Sequence, residues 1–221
     1  MDRNTKKQRV AEAVLDYIDN GESLGIGSGS TVNILIENLS KVKNKIRNVV
    51  SSSVKSTELL EANGFEVSEL RDVGRLTKYI DGADEVNKDL QMIKGGGGAL
   101  TREKILAHNS NQFICIVDDS KKVDMLGKFP LPIEVIPLSR SSVSLELIKH
   151  GGRPVLRENF LTDNGNLILD IHNLEIMEPI KLEQTINNIP GVVTNGIFAL
   201  DHANVLLCAS DSGIDKTDLN A

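Results

Sequence analysis

The sequence predicts an α/β fold: an open, mostly parallel sheet with flanking helices, plus a smaller ferredoxin-like α+β domain. Three observations carry this. Short apolar runs alternate with helix-period segments through the first 130 residues, the pattern of repeated βα units. Polar clusters follow four successive strand-like runs, at residues 28–31, 51–53, 81–84 and 118–121. That is the arrangement expected where the carboxyl ends of strands line a ligand crevice. Pro130, Pro132 and Pro137 then punctuate a change to a β-α-β-β-α-β order, the split βαβ pattern. The expected division is residues 1–130 with 202–221 as the α/β domain, and 131–201 as the ferredoxin-like one.

Val10, Val14 and Ile18 recur at helical spacing, so the chain opens with an amphipathic helix ending near Asn20-Gly21. A short strand at 24–26 runs into Gly25-Ile26-Gly27-Ser28-Gly29-Ser30-Thr31. Val32, Leu35, Ile36 and Leu39 then mark the buried face of a helix. Strand, glycine loop and helix make a phosphate cradle. It is not the dinucleotide fingerprint, which needs Gly at position 30, nor a Walker loop, which needs Lys before the hydroxyl residue. Ser30 and Thr31 can cap the helix or donate to a phosphate. Val49-Val50 feeds Ser51-Ser52-Ser53, a helix spans 58–63 before Gly64, and the next strand spans 77–81. The unbroken apolar run at 113–118 reads as a strand buried on both faces. Beyond the prolines come a strand (133–136) and a helix (142–149). A hairpin pairs 153–161 with 166–171 across Asp163-Asn164-Gly165, and a helix (179–188) precedes a strand (192–200). The run 205–209 is one more strand, expected to return to the first sheet.

The stretch richest in chemistry joins Asp81-Gly82-Ala83-Asp84-Glu85 to Lys94-Gly95-Gly96-Gly97-Gly98-Ala99-Leu100-Thr101-Arg102-Glu103. Four consecutive glycines weaken any helix or strand, but their amides can approach a ligand closely. A turn at Gly82-Ala83 can aim Asp81 and Asp84 into one pocket, where two carboxylates supply an acid and a base. Lys94 can contact a phosphate or oppose a developing oxyanion. Glu103 falls just inside a helix, where the dipole also favours a carboxylate. Lys121 taken alone reads as a surface ion pair. A flexible linker with solvated charges is the competing reading, and its place between strand and helix signals argues against it.

Composition removes several classes. Aromatics make up 3% with no Trp, and the net charge is -6, so neither a stacking platform nor a basic nucleic-acid face is expected. No apolar run approaches the roughly 20 residues that span a bilayer. The N-terminal residues are polar and lack a signal-peptide core. Cys115 and Cys208 each lie in an apolar run, the usage of reduced thiols in a cytoplasm. His108, His150, His172 and His202 are scattered without ligand spacing, and no nucleophile elbow is visible. Acid–base work by carboxylates remains, with no metal and no cofactor expected.

With these residues placed, the sequence resembles the type A ribose-5-phosphate isomerase family nearly end to end. The likeness rests on the glycine loop at 25–31, Asp-Gly-Ala-Asp-Glu at 81–85, Lys94 through Glu103, and Asp119-Ser120-Lys121. Gly151-Gly152-Arg153-Pro154, Thr162-Asp163-Asn164-Gly165-Asn166 and Pro190-Gly191-Val192-Val193-Thr194 continue it. Two positions depart from the family pattern: Ser28, where Thr is more usual, and Asn195, where an apolar residue is common. The resemblance implies interconversion of D-ribose 5-phosphate and D-ribulose 5-phosphate through a cis-enediol, in the non-oxidative pentose phosphate pathway, by a cytoplasmic homodimer. It implies Glu103 as the base, Asp81 assisting ring opening, and Asp84 and Lys94 ordering hydroxyls and stabilising the enediolate. Substrate would be held by Ser28, Gly29, Ser30, Thr31, Gly82, Ala83, Gly95, Gly96, Gly97 and Lys121 as well. A sugar-phosphate sensor and a coenzyme A transferase relative are the rival classes, and a complete acid–base set speaks against the sensor.

Overall fold

Helix α1 (Arg3–Ala13) begins where the side chain of Asp2 accepts a hydrogen bond from the amide of Thr5, which satisfies one of the orphan donors of a helix start. The computed structural model describes residues 1–219. In chain order the elements that follow α1 are β1 (Glu22–Ile26), α2 (Ser30–Leu39), β2 (Ile46–Ser51), α3 (Val54–Ala62), α4 (Leu70–Val73), β3 (Leu76–Asp81), β4 (Glu85–Val86) and β5 (Met92–Ile93). Next are α5 (Leu100–His108), β6 (Ser110–Asp118), β7 (Leu131–Val135), α6 (Arg140–Lys149), β8 (Arg153–Leu156) and β9 (Leu167–His172). The chain closes through α7 (Pro179–Asn187), β10 (Val192–Asn195), β11 (Ile197–Phe198), β12 (Val205–Ala209) and β13 (Ile214–Asp218).

The chain divides into two units. The first comprises residues 1–83, 102–121 and those from 203 onward. Its sheet runs in the order β13-β12-β6-β3-β1-β2, parallel throughout except for β13, which pairs antiparallel with β12. The run 205–209 thus returns to this sheet as expected, with Val205 opposite Ile114. All five residues of β1 and of β12 are buried, as a parallel sheet covered on its faces requires. Val32, Leu35, Ile36 and Leu39 of α2 reach zero exposure against Leu24, Ile26 and Ile80. Each such aliphatic side chain contributes about 1.5–3 kcal/mol by leaving water. The first helix is shorter than its periodicity implied. It tightens into a 3-10 turn at Val14–Tyr17, with the Ile18 amide bonded to the carbonyl of Leu15.

The second unit comprises residues 84–101 and 122–202. Its larger sheet has the order β10-β7-β9-β8, all antiparallel, which is the ferredoxin-like arrangement of the split βαβ pattern. Ile133, Val135, Val143, Leu147, Leu169 and Ile186 form its core. The expected boundary at residue 130 is corrected. Residues 84–101 belong here because β4 and β5 build a small sheet with β11, and the Val123 amide donates to the Val86 carbonyl. The expected strand at 192–200 is two strands. Gly196 interrupts it, donating to the Pro132 carbonyl at 2.8 Å and accepting from the Lys94 amide at 2.9 Å. A Cβ there would stand 2.3 Å from the Lys94 carbonyl oxygen, so only glycine fits.

Candidate active site

In the first unit the loop after β1 and the end of β3 come together around Asp81. Its Oδ1 accepts from the amides of Ser28 (3.1 Å) and Gly82 (2.7 Å), and its Oδ2 accepts from the Tyr79 hydroxyl. Asp81 is completely buried. A Cβ on Gly27 would fall 1.9 Å from the Asp81 carboxyl carbon, so the glycine in this loop makes room for the carboxylate. Ser28 also joins Asp81 to Glu103: its amide holds the first, and its Oγ donates to Oε1 of the second at 2.7 Å. Glu103 lies in the first turn of α5 and is 3% exposed. A buried carboxylate at a helix start, oriented by a hydroxyl, is placed for proton transfer. Ala83 follows Gly82 and closes this stretch of the first unit.

Gly29 is the N-cap of α2, with φ of 99°, and no side chain caps the helix. Ser30 and Thr31 therefore stand in its first turn, and the capping role open to them in the sequence goes to the glycine. Four backbone donors at that end, the macrodipole and two hydroxyls make an anion site. Lys7 donates to Ser30 Oγ at 2.9 Å. No sequence signal singled out Lys7, because a lysine in an amphipathic helix reads as solvated surface. Lys121 ends the 3-10 turn after β6 (Asp119–Lys121), and among the described residues it forms no ion pair.

In the second unit Asp84 Oδ2 accepts from the Gly96 amide at 2.8 Å, and a Cβ on Gly96 would reach within 2.7 Å of Asp84 Oδ1. Gly95 has φ of 99° and Gly98 of 85°, values that favour glycine, and the Gly98 amide closes a turn onto the Gly95 carbonyl. Arg157 braces this loop. It donates to the carbonyls of Gly95 and Gly96 at 3.2–3.4 Å while its other edge pairs with Asp170 at 2.6 Å. So the run Gly95, Gly96 and Gly97 is a pinned loop rather than a flexible linker. Lys94 is 3% exposed, with Nζ 5.4 Å from the centroid of the Phe198 ring. Tyr79, Arg157 and Phe198 were not legible as site residues, since each reads as ordinary strand or hairpin composition.

Known proteins resemble this chain over nearly its whole length. A profile described as "Ribose 5-phosphate isomerase A (phosphoriboisomerase A)" matches residues 48–213. A ribose-5-phosphate isomerase A from Buchnera aphidicola is 52% identical over 214 residues, covering 97% of this chain and 96% of its own. The crystal structure of ribose 5-phosphate isomerase A from Neisseria gonorrhoeae superposes with a TM-score of 0.96. It is 47% identical, and the match covers 98% of this chain and 97% of that one. The isomerase from Methanocaldococcus jannaschii reaches 0.91 at 35% identity, with 97% and 98% covered. With the family model matching residues 48–213, and the sequence and fold agreeing with these relatives over nearly the full length, the chain belongs to the ribose 5-phosphate isomerase A family.

Proposed function

We propose that the protein interconverts D-ribose 5-phosphate and D-ribulose 5-phosphate, through a cis-enediol, in the non-oxidative pentose phosphate pathway. The observation that carries this reading is Ser28, which ties Asp81 and Glu103 into one hydrogen-bonded acid–base set. Removing a weakly acidic C–H proton needs a positioned base and charge stabilisation on the adjacent oxygen. Glu103 takes the proton from C2 of the open-chain aldose and returns it to C1. The Ser28 hydroxyl holds the carboxylate for that transfer. Asp81 accepts the proton of the anomeric hydroxyl as the ring opens. Lys94 opposes the charge on the enediolate oxygen, and Asp84 orders a sugar hydroxyl. Ser30, Thr31 and the amides at the start of α2 hold the phosphate, with Lys7 and Lys121 adding positive charge. Gly82, Ala83, Gly95, Gly96 and Gly97 offer backbone groups to the substrate.

A phosphate grip remote from C1 and C2 supplies binding energy for orientation. Enediol phosphates can lose phosphate in water, so burial of the base also protects the intermediate. The protein works as a homodimer in the cytoplasm on this reading. Leu138, Leu145 and Ile148 at 95%, 63% and 55% exposure give the second unit an apolar face suited to a second copy. No helix among the described residues is long and apolar enough to cross a membrane. Formation of the ketose from ribose 5-phosphate, followed in a spectrophotometric assay, tests the assignment. A purified chain that leaves the aldose unchanged would refute it.

A further inference from the structure

We infer that Tyr79 is a positioning residue for opening the sugar ring, acting through Asp81. Tyr79 stands two residues before Asp81 on β3, so the two side chains share one face of the strand. Its ring is wholly buried and packs on Phe113 with centroids 4.7 Å apart at 49°. Gly25 lies opposite Tyr79 in the register of β1 with β3, and a Cβ there would approach the ring to 3.0 Å. Gly27, two residues on, vacates the space of the Asp81 carboxyl. The glycine loop is thus shaped around the Tyr79–Asp81 pair.

The hydroxyl of this fixed ring donates to Oδ2 of Asp81, while the amides of Ser28 and Gly82 donate to Oδ1. The torsion that sets the plane of a carboxylate is intrinsically broad. Donors on both oxygens are therefore what hold the plane, and Tyr79 supplies the donor at Oδ2. Burial, with the charges of Asp81 and Glu103, pushes the Tyr79 phenol well above its ordinary value near 10, so it stays a donor at neutral pH. Opening the ring moves the O1 proton to the carboxylate, forms C1=O1 and breaks C1–O4. O4 then takes the proton back from the carboxyl, so the step is an internal transfer that needs the carboxylate plane held.

The inference rests on the assignment of Asp81 to ring opening, and it separates two reactions of the same enzyme. Conversion of ribose 5-phosphate requires the ring to open. Exchange of the C1 protons of ribulose 5-phosphate with deuterated water requires only Glu103 and the enediol, because that ketose is open-chain. Tyr79→Phe should slow aldose conversion about tenfold or more while leaving ketose exchange within about threefold of the unaltered protein. Parallel losses in both reactions, or no loss in either, would overturn the inference and leave Tyr79 a buried core residue with a satisfied hydroxyl.

Since Tyr79→Phe strips a donor from a buried carboxylate, the same change is also made in Asp81→Asn, where no charge is left behind. There it should alter aldose conversion by less than about twofold, because a residue acting through the carboxylate has nothing left to act through. A further tenfold fall in the double variant would overturn the inference. Failure of the unaltered chain to convert ribose 5-phosphate would instead defeat both the proposed function and this extension of it.

Discussion

At the scale of single residues, the candidate site combines glycines that leave space with two buried carboxylates, Asp81 and Glu103. Glu103→Gln keeps shape and hydrogen-bonding capacity but removes the proton acceptor. Turnover should fall at least about a hundredfold, with substrate affinity kept within roughly tenfold, because the proposed phosphate grip is at the start of α2. Near-normal turnover would take Glu103 out of the role. Lys121→Ala should raise KM for ribose 5-phosphate about ten- to a hundredfold and lower kcat less, as loss of a charge-assisted contact does. An unchanged KM with a normal melt would return Lys121 to the solvated surface. Gly27→Ala puts a methyl where the Asp81 carboxyl lies, 1.9 Å from its carbon. Overpacking of this kind costs about 1–3 kcal/mol, so the melt should drop together with turnover.

At the scale of elements, α1 is tied down by ion pairs as well as by Val10 and Ala11 in the core. Arg3 pairs with Asp118, and Lys6 with Asp119 and Asp211, while the N-terminal ammonium meets Asp211 at 2.9 Å. Burial pushes the Asp118 carboxyl up, but hydrogen bonds from Ser120 and Arg3 outweigh it and leave it below the ordinary value. Asp211 is lowered by its bonds to the N-terminal ammonium and Lys6. A depressed carboxylate stabilises the fold above its unfolded value, near 4, and that contribution disappears as pH falls through the folded value. Amides of α1 should therefore lose hydrogen-exchange protection below about pH 4 before those of β6 do. Equal loss in both elements would show that these pairs do not anchor the helix. Lys7 rides on α1, so the same anchoring supports its bond to Ser30.

The turn at 162–166 is organised differently, around a carboxylate with no exposure. Glu134 accepts from Thr101, Thr162, Asn164 and Asn166. Glu134→Ala strands these donors and should destabilise the protein by about 2–5 kcal/mol, read as a lower denaturant midpoint. A shift under about 0.5 kcal/mol would mean that water replaces the carboxylate there.

For the whole molecule, neither the sequence spacing nor any group of three His, Cys, Asp or Glu side chains among the described residues offers a metal site. Activity should survive exhaustive dialysis against a chelator, and a loss restored by a divalent ion would reveal a site that this reading misses. If the apolar face of the second unit joins two copies, Leu138→Asp with Leu145→Asp should shift the sedimenting species to a single chain.

Local chemistry determined the class of the fold, the parallel sheet with the polar ends of its strands, the ferredoxin-like order, and Glu103, Asp81, Asp84 and Lys94 as the candidate residues. Such signals are written in runs of a few neighbours: periodicity, a strand end, a glycine loop. What only the tertiary structure decided depends on residues distant in the chain. Gly29 took the cap expected of Ser30 or Thr31, because the loop needed a left-handed residue at that position. Residues 84–101 joined the second unit because β5 found its partner β11 about a hundred residues later. Ser28 met Glu103 across 75 positions, and Arg157 reached the glycine loop across more than 60. Tyr79 was visible only as a strand aromatic two residues before Asp81, since Gly25, the glycine that admits its ring, becomes its neighbour only when β1 and β3 pair. Contacts of that separation are set by register and packing, which composition and spacing along one strand do not encode.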